Sequence, residues 1–377
     1  MNPTVTNISE EDNVFRFQLS GVNMSLANAL RRIMLSEIET IVFRTAPYKE
    51  NLATIDVNTS RLNNEIIKQR LSCVPIHLKD LSFPIKDYQM EVEVFNDSDS
   101  NIYVTTEDFK VKHIHNDIYL PKEETKKWFP PNDITNMYID LVRLRPRLAD
   151  NIPGESLKMS CLFDIGTSKQ DGMFNVVSTC SYGFTVDKIA QADAWSEKEK
   201  EYKDKKMTKD DIASLKQNWL LLEGKRHTIP NSFEFVVESV GVFENMDIVD
   251  KACSVMLNKL KKFITTVQNT LSDMVVESES TIPNCYDIKL VGEDYTLGKV
   301  LEYILYTNYY VNKKSLSYCG FQKPHPHIDV SLLRLAFKEP TDNEEISKYL
   351  IQSCAEAIQV FEKIKVFFET NDNNENE

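Results

Sequence analysis

Phe15-Arg-Phe-Gln-Leu-Ser-Gly-Val-Asn-Met-Ser-Leu-Ala-Asn-Ala-Leu-Arg-Arg-Ile-Met-Leu35 decides the fold, because a weaker copy of it returns near the other end of the chain. The copy is Tyr286-Asp-Ile-Lys-Leu-Val-Gly-Glu-Asp-Tyr-Thr-Leu-Gly-Lys-Val-Leu-Glu-Tyr-Ile-Leu305. Laid together, Phe15, Phe17, Leu19 and Gly21 meet Tyr286, Ile288, Leu290 and Gly292; Ser25, Leu26, Leu30, Ile33 and Met34 meet Thr296, Leu297, Leu301, Ile304 and Leu305. Each copy reads as an alternating strand, a glycine turn, an N-cap at Ser25 or Thr296, and an amphipathic helix. One strand and one helix cannot close a core. Packing the two units about a pseudo-two-fold axis buries both, so the repeat predicts an α+β fold built on an internal pseudo-dimer.

The remainder of the chain is read outward from these units. The first helix is predicted over about Ser25 to Glu39. Residues 45–229 read as a mostly β insertion, with strands at Tyr88–Phe95 and Leu157–Phe163, turn-rich joints, and one helix at Asn63–Leu71 that ends before Pro75. The mixed-charge stretch Glu197–Lys206 reads as a solvated helix or loop. Phe233–Val240 is a strand, and a long helix with Ile248, Ala252, Val255, Met256, Leu260, Phe263 and Val267 on one face runs to about Leu271. These return to the first unit, so residues 1–44 and 230–277 form one half. Residues 278–284 form a polar linker, and 285–369 form the second half. Its strands lie at Leu316–Gln322 and Ile328–Phe337, and it closes on a long helix bearing Ile346, Leu350, Ser353, Ala357, Val360, Ile364 and Phe368. Residues 370–377 have no apolar content and are expected to be disordered. The internal core is expected from Leu26, Leu30, Ile33, Leu297, Leu301, Ile304, Phe263 and Phe361.

Composition narrows the function. The chain has 377 residues, 42% of them hydrophobic and 27% charged, which suits a soluble globular protein. No apolar run is long enough to cross a bilayer and the first residues lack a signal-peptide layout, so an intracellular, membrane-free protein is expected. Seven cysteines without a Cys-x-x-Cys pair support neither a disulfide framework nor a zinc ribbon. A net charge of −13 argues against gripping nucleic acid directly, because that affinity comes from cations neutralising phosphates.

Three blocks together carry a family resemblance: Ser25–Ile41, Glu65–Ile76 and Phe233–Gly241. They resemble the third subunit of eukaryotic RNA polymerase II and the bacterial polymerase α subunit. Asp294–Gly298 and Tyr318-Cys-Gly-Phe-Gln-Lys-Pro-His-Pro-His327 resemble the small eleventh subunit. Both in one chain resemble the fused subunit of large nucleocytoplasmic DNA viruses. The resemblance implies two α-subunit-like dimerisation halves with a β-rich domain inserted in the first, and a non-catalytic scaffold for the largest and second-largest polymerase subunits and smaller ones. It further implies contact with DNA and RNA only through the complex, and a place in the host cytoplasm. It leaves virion packaging open. Cellular relatives often carry a zinc loop in the insertion, whereas only Cys73 precedes Cys161 here, so no metal or other cofactor is expected.

Arg31 and Arg32 are the charged pair of most interest. Helical spacing sets Arg32 nearly opposite the apolar stripe and Arg31 at its edge. Two solvated arginines are the plain alternative. Their counterparts, Glu302 and Tyr303, make the two faces chemically different, and the resemblance puts the arginines, with Glu65 and Arg70, toward the second-largest subunit. The pairs His325/His327, near Cys319, and His113/His115 have strand spacing for two metal ligands each but lack a third. A metal-dependent enzyme built on them, or a free-standing protein-binding module, are the competing readings. No phosphate loop, Gly-x-Ser-x-Gly or His-Glu-x-x-His occurs, so no catalytic residue is expected.

Overall fold

The computed structural model describes residues 1–147, 149 and 152–369, so the expectation for the acidic tail falls outside the described residues. The chain forms two compact units. Unit one takes Met1–Ile33, Thr179–Glu238 and the chain from Asn245 onward; unit two takes Met34–Ser178 and Ser239–Glu244.

Unit one holds two four-stranded sheets of the same construction. The first contains β1 (Thr4–Glu11), β2 (Val14–Ser20), β3 (Val177–Val186) and β4 (Thr228–Ser239), in the spatial order β1-β2-β4-β3. Between these strands in sequence come α1 (Met24–Ser36), α2 (Lys188–Asp204) and α3 (Lys209–Leu221), and the long α4 (Asn245–Met274) follows β4. The second sheet contains β5 (Val275–Glu277), β6 (Cys285–Val291), β7 (Leu316–Gln322) and β8 (Val330–Phe337), in the order β5-β6-β8-β7. Its helices are α5 (Tyr295–Leu305) and the long α6 (Asn343–Val366).

In each sheet the repeat strand pairs antiparallel with the strand that leads into the long helix. Phe17 lies opposite Phe235 in one, and Ile288 opposite Leu333 in the other. Every second residue of β2 is buried, as strand periodicity requires. Gly21 and Gly292 both adopt positive φ, 78° and 73°, at the matching turns. A side chain at Gly21 would also meet the Asn2 carbonyl, 2.1 Å from an ideal Cβ.

The long helices α4 and α6 pack along one another and bury the stripes read from the sequence, apart from Val255, which is half-buried. Leu26, Leu30, Ile33, Leu297, Leu301, Ile304, Phe263 and Phe361 are all buried. Beyond the end of α6, Phe368 stands edge-on to Phe17 with ring centres 5.0 Å apart, and Phe17 stacks on Phe235 at 4.8 Å. The segment that follows α6 thereby reaches the first sheet.

The structure departs from the sequence reading in four places. Neither Ser25 nor Thr296 is the cap: the Asn23 carboxamide accepts the Ser25 N–H at 2.9 Å, and the Asp294 carboxylate accepts the Thr296 N–H at 2.8 Å. The true caps sit two residues earlier and also match each other in the repeat. The first helix stops at Ser36 instead of Glu39, because Thr40-Ile-Val42 forms a fully buried strand against Asp164–Gly166; β-branched residues favour that pleated setting. The long α4 extends to Met274 with non-helical geometry at Thr270. Finally, compact unit two takes Met34–Ser178 and Ser239–Glu244, whereas the sequence reads as an insertion over 45–229, because β3 joins the first sheet and the α2–α3 hairpin follows it. That hairpin encloses Trp195 against Trp219, ring centres 5.5 Å apart, and its Glu197–Lys206 segment is mostly solvent-facing helix.

Unit two is built on a five-stranded antiparallel sheet ordered Ala53–Asn58, Ser156–Leu162, Tyr88–Phe95, Lys110–His113, Ile118–Tyr119. Phe43, Phe109, Phe129, Phe163 and Trp128 interlock in its core. The helix Asn64–Ser72 is capped by Asn63, whose side chain accepts the Ile66 N–H at 2.9 Å.

Phe368→Ala should lower the stability of the chain by ~3–5 kcal/mol, the usual cost of emptying a buried aromatic site. Urea unfolding of the two proteins measures it. A change inside experimental error would mean that the end of α6 is not bound to the first sheet.

Candidate functional site

Helix α1 buries Leu26, Ala27, Leu30, Ile33 and Met34 and leaves Arg31 and Arg32 half-buried beside them. Arg31 is held locally: its Nε and Nη2 donate to the Asn28 side-chain oxygen at 3.0 and 2.9 Å. Arg32 reaches the second repeat. Its Nε donates to the Thr296 hydroxyl at 3.0 Å and its Nη2 to Asp294 Oδ2 at 2.9 Å. The other oxygen of Asp294 caps α5, so one carboxylate satisfies a helix N-terminus and a guanidinium together.

Further ion pairs run between the repeats. Lys259 on α4 meets Glu293 at 3.1 Å, with side chains only 13% and 22% exposed, and Lys365 on α6 meets Asp250 on α4 at 3.0 Å. The acids Glu293 and Asp294 therefore form one turn that receives two cations of the first repeat. Helical periodicity placed Arg32 opposite the core, and nothing in it could show that α5 presents its capped end there.

Glu65 and Arg70 belong to unit two and Arg31 and Arg32 to unit one. Glu65, in the first turn of the helix Asn64–Ser72, is exposed and lines a groove of about 590 Å³ with Thr45, Tyr48, Lys68 and Asp171. Arg70 in the last turn donates Nε to the Leu141 carbonyl and Nη2 to that of Asp140, both at 2.7 Å. Much of its fork therefore holds the strand Asp140–Leu144 in place. Sequence reading passed over Arg44, which is 9% exposed. It donates to Asp164 at 2.6 Å, the Ile165 carbonyl at 3.0 Å and Gln170 at 3.2 Å. These bonds make it a structural tie of unit two.

Among the described residues no three His, Cys, Asp or Glu side chains gather as metal ligands. His325 Nδ1 accepts the His327 N–H at 3.1 Å, which spends that nitrogen on the turn. His115 faces Asp87 at 3.3 Å on the surface. Burial pushes the thiols of Cys161, Cys180, Cys319 and Cys354 up to about 12, so they stay protonated and unreactive at neutral pH. Among the described residues no helix is long and apolar enough to cross a membrane.

The sequence profile of the family described as "RNA polymerase Rpb3/Rpb11 dimerisation domain" matches residues 16–260. The chain is similar to the Dictyostelium discoideum protein "DNA-directed RNA polymerases I and III subunit rpac1", 28% identical over 209 residues, 49% of this chain and 54% of that one. It is similar to "DNA-directed RNA polymerases IV and V subunit 3B" of Arabidopsis thaliana, 42% identical over 74 residues, 20% of this chain and 21% of that one. It is also similar to "DNA-directed RNA polymerase subunit Rpo3" of Pyrococcus furiosus, 22% identical over 280 residues, 70% of this chain and 97% of that one. The match thus spans about half of the Dictyostelium protein and about a fifth of the Arabidopsis one.

The profile match ends before β6, where an ion pair fixes the second sheet. Asp287 on β6 and Arg334 on β8 stand opposite one another and form two hydrogen bonds of 2.6 and 2.8 Å. The hydrogen bonds from Arg334 hold the Asp287 carboxyl below its ordinary range, and the same bonds raise the arginine. A depressed carboxylate stabilises the fold above its unfolded value, about pH 4, and loses that contribution as pH falls through its lower folded value. Asp287→Asn should therefore destabilise the chain at pH 7 and flatten the loss of stability as pH falls below about 4. Thermal unfolding across that range checks it; parallel curves for the two proteins would refute the assignment.

Proposed function

Because the chain belongs to the RNA polymerase Rpb3/Rpb11 dimerisation domain family, we propose that it is a non-catalytic assembly subunit of a multisubunit DNA-directed RNA polymerase that carries both members of a dimerising pair. The observation that carries the proposal is the doubled construction of unit one. Two sheets of the same strand order each lead into a long helix, and those helices pack on each other. A pair that elsewhere needs two chains is here supplied by one. In the first repeat, residues 37–176 connect α1 to β3, while in the second only residues 306–315 connect α5 to β7. That asymmetry supports reading the β-rich unit as an insertion in the first half.

Catalysis in this proposal belongs to the largest and second-largest subunits, which supply the metal and the nucleic-acid channel. The net charge of −13 fits a chain that meets DNA and RNA only through them. The union of two repeats in one chain also supports the resemblance to the fused subunit of large nucleocytoplasmic DNA viruses, and with it a site of action in the host cytoplasm. For the second-largest subunit we assign contact to Arg31 and Glu65. Arg32 and Arg70 act behind them, since their guanidinium groups are tied to Asp294 and to the backbone of Asp140 and Leu141.

Affinity purification of the tagged chain, followed by mass spectrometry and a template-dependent transcription assay, tests the function. Two very large subunits with activity are expected; recovery of the chain alone would overturn the proposal. Arg31→Glu combined with Glu65→Lys should reduce recovery of the second-largest subunit at least about tenfold, the effect of losing ~1.4 kcal/mol of contact. The folded state of the free variant, followed by circular dichroism, should be unchanged. Full recovery would remove these residues from the interface.

A further inference from the structure

The ion pairs between the repeats do not obey the symmetry of the repeats. Glu293 and Asp294 occupy the places that Val22 and Asn23 hold in the first repeat, so one turn carries two acids and its counterpart none. Arg32 corresponds to Tyr303. Matching the buried stripes of α4 and α6, with Cys253, Leu260, Phe263 and Val267 set against Leu350, Ala357, Val360 and Ile364, makes Lys259 correspond to Glu356. Both cations that reach the acidic turn thus have uncharged or acidic counterparts.

We propose that the turn Glu293–Asp294 selects the unlike repeat over a like one, and so keeps the chain from pairing its repeats with the same repeats of a second copy. This rests on reading the two halves as an internal pair. In a pairing of first repeats, Arg32 and Lys259 would approach Val22 and Asn23, leaving two partly buried cations without their carboxylates. In a pairing of second repeats, Tyr303 and Glu356 would approach Glu293 and Asp294, bringing acid toward acid. Only the unlike arrangement pairs every one of these charges. The apolar surfaces alone would discriminate poorly, because both halves present similar stripes of Leu, Ile, Val and Phe. A like-charge juxtaposition is the usual physical means of rejecting a wrong partner of similar shape.

The test uses the full chain. Glu293→Gln with Asp294→Asn removes both charges, and asparagine keeps the α5 cap just as Asn23 caps α1. Sedimentation velocity over a concentration series compares it with the native chain and with Glu197→Gln/Glu201→Gln, which loses the same charge on α2. The native chain and the α2 variant should sediment as single chains. The turn variant should self-associate with a dissociation constant at least about tenfold lower, the consequence of ~1.4 kcal/mol less discrimination. Should the double variant fail to fold, Asp294→Asn alone gives the same comparison. Self-association no stronger than that of the α2 variant overturns the proposal. Carbodiimide cross-linking of the native chain separates this failure from that of the internal pair. A Lys365–Asp250 link within single chains with unchanged self-association removes only the charge selection, while absence of that link removes the pairing on which it rests.

Discussion

The packing of α4 against α6 is the contact on which the remainder of unit one depends. Helix α4 touches strands of both sheets and packs along α6, and Phe368, just past α6, sits on Phe17 of the first sheet. A buried Leu, Ile or Phe side chain contributes about 1.5–3 kcal/mol relative to exposure. A partly exposed ion pair contributes about 0–1 kcal/mol. The interlocked stripes, with Phe368 seated on Phe17, therefore supply adhesion. The charges around them add little to it and are left to determine which surfaces meet.

That division explains what could be read from the residues and what could not. The strand, turn and helix of each repeat were legible because burial imposes period two on Phe15, Phe17 and Leu19, and helical spacing on Leu26, Leu30 and Ile33. The long helices were legible for the same reason. The caps were misplaced by two residues because Asn23, Ser25, Asp294 and Thr296 are all good capping types, and only the backbone reveals where the first turn begins. The end of α1 was missed because Ile38 continues the helical apolar pattern while Thr40-Ile-Val42 serves a strand.

The candidate contact residues were harder to read. An arginine on a helix surface has the same periodicity whether it meets solvent, another protein or the far end of its own chain. Arg32 proved to be the third kind, held by an acid 262 residues away in sequence. Arg44 was invisible for the opposite reason: a charged residue in an apolar run, Ile41-Val-Phe-Arg44, reads as the end of the strand, yet it is buried and tied to Asp164. Gly298 shows a further limit. In a helix it reads as a weak point, but any Cβ there would lie 2.1 Å from the ring of Phe321, which needs that gap to lie against α5.

The placement of the three tryptophans shapes what light can report about this molecule. Trp128 lies in the core of unit two, and Trp195 and Trp219 lie together in the α2–α3 hairpin. The sheets and the seam between α4 and α6 contain phenylalanine and tyrosine but no tryptophan. Indole fluorescence therefore follows the melting of the β-rich unit and of the hairpin, and stays silent if the seam opens while both remain folded. An intensity trace with two steps would describe those two regions and would say nothing about the part of the fold that joins the halves. Watching the seam optically requires a new indole placed within it, at a position such as Phe368 where an aromatic ring is already accommodated.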